Sequence, residues 1–122
     1  MAIFSLNEVR TEQIKNIAND NFESWPESAT YGYFGGGEAP PQVTTVDRID
    51  FANETTSAPG NNISQARSDL AAVSSSSYGY FAGGDAPSTT ALVDRIDFTN
   101  ETTSAPGNNI SQARHQFAAV SN

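Results

Sequence analysis

A chain of 122 residues has room for one small domain, and fourteen acidic residues against six basic ones, a formal charge of −8, exclude a nucleic-acid backbone as its partner. Cysteine is absent, so neither disulfides nor thiolate metal sites can hold the fold together. A hydrophobic share of only 37 %, with common Gly and Ser and scarce Leu, suits short strands and many turns.

Residues 1–30 read as an N-terminal arm. Ser5 sits three residues before Glu8, a capping box, and Phe4 and Val9 have the spacing of a hydrophobic staple. A helix over about 6–19 follows, with Leu6, Val9, Ile14 and Ile17 on one face and Glu8, Glu12 and Lys15 on the other. Phe22, Trp25 and Pro26 continue as an extended aromatic linker. A helix this short is marginal alone in water, so its apolar stripe needs a partner. It can pack on its own domain or serve assembly. The second reading is favoured, because the rest of the chain offers no second helix. Ile3, Phe4, Leu6, Val9, Ile14, Ile17 and Trp25 are then the docking residues. No early apolar run reads as a signal peptide or a membrane span, so a soluble product without membrane insertion is expected.

From residue 31 the chain writes one unit twice. Tyr31-Gly-Tyr-Phe-Gly-Gly-Gly37 returns as Tyr78-Gly-Tyr-Phe-Ala-Gly-Gly84, and each later position recurs 47 residues on without insertion. Such a period points to a solenoid, a propeller or an array. Within the unit, Tyr31–Phe34 reads as an aromatic strand stopped by glycines. Val46–Phe51 reads as a second strand, and Asn53–Thr56 as a turn into a short outer one. Ala58–Asn62 is dense turn chemistry. Arg67–Ser74 reads as a fourth strand, and Ser74–Ser77 as a hairpin back to Tyr78. Four strands in 47 residues is the size of one propeller blade.

Arg67, Leu70-Ala-Ala-Val73, the aromatic strand with its glycine doublet at Gly83-Gly84, and Asp94 in Val93–Phe98 together resemble a kelch repeat. The tryptophan usual after that last strand is missing, and Asn53, Glu54 and their counterparts stand there instead. The repeat wording also resembles repeat-bearing, tail-fibre-like structural proteins of marine bacteriophages. The likeness spans residues 31–122. It implies a mainly β fold with two kelch-like four-stranded blades, 31–77 and 78–122, and placement in a virion assembled in the host cytoplasm.

Blades bury their faces only against neighbouring blades, and closed rings take about four to eight. The first copy lacks the strand that should precede Tyr31, whereas Arg114–Val120 is a surplus one. The expectation is C-terminal strand exchange between chains, closing a homotrimeric six-bladed ring, with dimers or tetramers as alternatives. Arg67, Arg114, Phe117, Val120, Tyr31 and Tyr33 are the expected oligomer-interface residues.

Asp47 and Asp50 lie on opposite strand faces, so they cannot act as paired catalytic carboxylates across a cleft. They and their counterparts are expected in structural ion pairs with Arg67 and Arg114. No cofactor is expected: a copper oxidase would need Cys, and His115 stands alone. Glu38 and Asp85 beside the glycine loops supply too few oxygens for calcium. The Asn-x-Ser/Thr triplets at Asn53, Asn62, Asn100 and Asn109 are read as turn residues. The copies are about three-quarters identical and differ mainly at 41–45 against 88–92 and at 68–70 against 115–117. The first pair of loops is a tolerant surface. Glu38, Gln42, Thr44, Asp85, Thr89 and Thr90 are its candidate ligand-binding residues, for a host-surface glycan or protein. The expected function is non-enzymatic: a phage structural protein of tail-fibre, baseplate or capsid-decoration type, joined to other virion proteins through its arm. The alternative is a free-standing kelch-like lectin or protein-interaction module.

Overall fold

The computed structural model describes residues 29–122. The expected helix over 6–19 and the docking residues Ile3 to Trp25 lie outside them. The described residues form seven strands in two antiparallel sheets and no helix. The first sheet has the order β1-β2-β3, with β1 Tyr31–Gly35, β2 Val46–Asp50 and β3 Thr55–Ser57. The second has the order β4-β5-β6-β7, with β4 Ala71–Ser74, β5 Tyr78–Ala82, β6 Val93–Asp97 and β7 Thr103–Ser104.

The repeat in sequence is a repeat in hydrogen bonding. Tyr31 pairs with Asp50 and Gly35 with Val46, as Tyr78 pairs with Asp97 and Ala82 with Val93. The turn Asn side chains are engaged by the backbone. Asn62 and Asn109 accept from the N–H of Val46 and Val93, each at 3.3 Å. Asn53 and Asn100 accept from the N–H and hydroxyl of Thr55 and Thr102. This is the local capping chemistry that favours Asn in turns.

Three boundaries differ from the sequence reading. The strand expected over 67–74 begins only at Ala71, because Asp69 takes a positive φ of 54° and breaks the extended run. The expected four strands of the first repeat are divided: 71–74 crosses over to pair with β5, leaving three strands in the first sheet. Residues 118–121, the counterparts of β4, form no strand. A strand needs a neighbour to take its hydrogen bonds, and β5 already has β4 and β6 on its two edges.

The core lies between the sheets. Val46 from β2, Ile63 from the loop after β3, Phe81 from β5 and Ile96 from β6 form one buried cluster, with Tyr33, Leu70 and Phe98 packed on it. Two glycines make the close approach possible. A Cβ on Gly35 would stand 2.8 Å from the Phe81 ring, and one on Gly36 would stand 2.7 Å from the Arg67 carbonyl oxygen. Gly36 also has φ +72°, which a side chain rarely tolerates.

Candidate assembly interface

The two sheets meet in a junction built from four kinds of contact. Arg67 and Asp94 are both 0 % exposed, and Arg67 Nη2 lies 2.9 Å from Asp94 Oδ2. Arg67 Nη2 also donates to the Phe81 carbonyl at 3.0 Å. The carboxylate contact is close but off-line: neither Asp94 oxygen, nor Arg67 Nε or Nη1, has an aligned hydrogen bond. Burial pushes the Arg67 guanidinium below its usual value, and Asp94 offsets part of that fall. A buried pair of this kind contributes little net stability, yet removing one partner strands a charge in the interior.

The second contact is a polar cluster at the junction's edge. Arg48 Nη1 donates to Glu101 Oε1 at 2.7 Å, and the Tyr33 hydroxyl donates to the same oxygen at 3.0 Å. Glu101 reaches them from a left-handed backbone position, φ 57°. The hydrogen bond to Glu101 raises the Arg48 value further above its ordinary range. Burial, followed by the bond to Glu101, pushes the Tyr33 phenol from 10.0 up to about 12.

That shift has a defined sign. The folded state holds the Tyr33 proton more tightly than the unfolded chain does, so its contribution is fully present below about pH 10. It is lost as pH rises through about 12. Urea midpoints measured from pH 8 to 12 should therefore fall across that upper window. The Tyr33→Phe chain should show a shallower decline, and equal slopes in both chains would count against the assignment.

The third contact is aromatic: Tyr33 stacks on Phe98, with centroids 5.4 Å apart and planes 9° from parallel. The fourth ties a loop to a strand, where the Thr103 hydroxyl donates to the Asn62 carbonyl.

Every one of these residues has a counterpart 47 positions away, and most of the counterparts are exposed; Tyr80 and Arg95 are half-buried. Phe81 is 4 % exposed, whereas Phe34 is 61 % exposed. Asp94 is buried and Asp47 exposed; Arg67 is buried and Arg114 exposed; Ala71 is buried and Ala118 exposed. Phe98 is half-buried under Tyr33, whereas Phe51 is 53 % exposed. Burying a side chain the size of Phe81 stabilises by about 1.5–3 kcal/mol, and Phe34 forgoes most of that here. One repeat's outward face thus carries Phe34, Asp47, Phe51 and Glu54. The other repeat's carries Arg114, with the half-buried Arg95 lying over the Tyr78 ring at 4.6 Å.

The strand edge repeats the pattern. β5 is paired on both sides, whereas β1 pairs only with β2 and leaves its other edge open. A cleft of about 810 Å³ is lined by residues of both sheets and the tail, among them Tyr31, Tyr33, Val73, Tyr80, Phe98 and Ala119. Val120 is 91 % exposed.

The expected interface residues are thereby redistributed. Arg67 and Tyr33, expected between chains, serve the junction within the chain, because the acid and the aromatic ring they need lie one repeat later in the same chain. Tyr31, Arg114 and Val120 remain exposed, and Arg114 lies over the half-buried Phe117 ring at 4.9 Å. The Arg48–Glu101–Tyr33 cluster is absent from the sequence reading. Its one signal there is a Glu repeated in a turn where a simple turn has no use for it.

The candidate ligand loops are mostly occupied with their own turns. Glu38 and Gln42 form a backbone bridge. The Thr44 carbonyl accepts from Ile63 N–H at 3.0 Å, and the Thr90 carbonyl from Arg114 N–H at 3.3 Å. The Thr89 hydroxyl donates to Asp85 Oδ1 at 3.0 Å and lies 3.3 Å from His115 Nδ1. The Thr89 hydroxyl thereby clasps the turn that the Asp85–Thr89 backbone bridge closes. Among the described residues no three His, Cys, Asp or Glu side chains are grouped to hold a metal ion, and no helix is long and apolar enough to cross a membrane. No family model matches the chain, and no curated protein matches it.

Proposed function

We propose that this chain is a non-enzymatic structural subunit whose two sheets are adjacent blades of a β-propeller completed by further copies of the chain. The observation that carries this reading is the contrast between equivalent positions: Arg67, Ala71, Phe81 and Asp94 are buried at the inner junction, and their counterparts Arg114, Ala118, Phe34 and Asp47 are exposed. Exposed Phe34 and Phe51 beside an open strand edge are surface that solvent penalises and a neighbouring sheet would cover. Contacts between unlike faces are head-to-tail and close into a ring when the rotation permits. A homotrimer with six blades is the favoured closure.

The likeness of the repeat to phage tail-fibre-like proteins supports a virion as the setting of such a ring, with residues 1–30 as its anchor and the rim loops offered to a host-surface glycan or protein. The full chain should then co-sediment with virus particles, while a chain lacking residues 1–25 should stay in the supernatant as an intact ring. A free-standing lectin or interaction module would behave alike with and without those residues, and that result would overturn the virion reading.

A further inference from the structure

Resting on that assembly reading, we infer that the chain-to-chain contact is a second copy of the inner junction, in which Arg114 of one chain forms a buried ion pair with Asp47 of the next while residues 118–121 add a strand to the open edge of β1. Three independent features of the chain lead there.

The first is strand register. Ala71, Ala72, Val73 and Ser74 pair with Ala82, Phe81, Tyr80 and Gly79. Moving the first strand one repeat forward and the second one repeat back pairs Ala118, Ala119, Val120 and Ser121 with Gly35, Phe34, Tyr33 and Gly32. All four tail residues are exposed, and β1 has the free edge to receive them.

The second is charge. The face bearing β1 presents Asp47 and Glu54, and the opposite face presents Arg114 and the half-buried Arg95. Applying the inner geometry gives Arg114 to Asp47, as Arg67 to Asp94. It gives Arg95 to Glu54, as Arg48 to Glu101. Like-to-like contact of either face with itself would oppose equal charges, so the pairing is directional.

The third is backbone conformation. Glu54 holds φ 58°, nearly the 57° of Glu101. A left-handed position is unfavourable for a residue with a side chain. The same turn sets both: Glu54 N–H donates to the Asp50 carbonyl and Glu101 N–H to the Asp97 carbonyl, each at 2.8 Å, and from there Glu101 reaches Arg48 and Tyr33. Glu54 has no side-chain ion pair or hydrogen bond among the described residues, yet it is already set to make the same reach. The new junction differs where the repeats do: His115 and Phe117 replace Ser68 and Leu70, Glu38 replaces Asp85, and Ala82 stands where the inner junction has Gly35, so the Phe34 ring must seat further out than Phe81 does.

The test is charge exchange in the full chain, read by sedimentation and light scattering over a dilution series. Asp47→Arg and Arg114→Asp should each weaken association by on the order of 100-fold or more, as expected for stranding one member of a buried interfacial pair. The chain carrying both substitutions should regain assembly, since each contact again joins opposite charges. Both side chains are exposed within the single chain, so the circular dichroism of the single variants should match the parent, which separates lost assembly from lost folding. Single variants that assemble as tightly as the parent, or a folded double variant that stays dissociated, would overturn this junction while leaving the ring reading intact. A parent chain that is itself monomeric would overturn both.

Discussion

Asp94→Ala should cost about 3–5 kcal/mol of folding stability, more than any substitution on the exposed faces of the two sheets. The cost does not come from losing a strong bond, since the Arg67–Asp94 contact is poorly aligned. It comes from leaving the Arg67 guanidinium, 0 % exposed, without a counter-charge. For a domain of ordinary stability, about 5–15 kcal/mol, that is a large fraction of the total. The repeat supplies its own control. Asp47→Ala changes the same residue type at the same strand position, but on an exposed surface. In the dissociated chain it should move stability by no more than about 0.5 kcal/mol. Urea denaturation followed by circular dichroism, at concentrations where the chain is dissociated, measures both. A third chain, Arg67→Met with Asp94→Leu, should recover most of the loss, because apolar replacement of a whole buried pair is often neutral. Equal effects at positions 94 and 47 would contradict the burial contrast on which the assembly reading rests.

Truncation after Phe117 should abolish assembly while leaving the fold of the single chain untouched. Residues 118–122 are all exposed and join no sheet. Arg114 and Phe117 are kept because they make contacts within the chain. The Arg114 carbonyl accepts from Gly84 N–H at 3.0 Å, and the Phe117 ring packs where a Gly83 side chain would otherwise stand. Between chains, the removed segment is the strand that would pair with β1 and cover its edge, with several backbone hydrogen bonds worth about 0.5–1.5 kcal/mol each. Association should fall by more than a factor of about 100, with no change in urea midpoint for the dissociated chain. A truncated chain that still assembles would move the contact away from the β1 edge.

The strands were legible because the sequence signals were local. Tyr31-Gly-Tyr-Phe followed by glycines, and Val46-Asp-Arg-Ile-Asp with its alternation, carry strand and stop in the same few residues. The 47-residue period was legible for the same reason. The location of the buried charge was not. Arg67 and Arg114 occupy equivalent places in identical Gln-Ala-Arg triplets. Only the fold decides that one meets Asp94 inside the chain and the other meets solvent. The Asp69 break was hidden as well, since an Asp within Arg-Ser-Asp-Leu does not mark a left-handed residue by itself. Glu54 and Glu101 were readable as turn residues, but the reach of Glu101 to Arg48 spans 53 residues and has no local signature.

The mass of the full chain in solution decides whether its two sheets are completed by further copies. Light scattering at micromolar concentration should return a closed assembly, about three times the 13.0 kDa of one chain for the favoured ring, with the same value across a tenfold dilution. A folded, monodisperse species of 13.0 kDa, with Phe34, Asp47 and Arg114 facing water, would contradict that completion.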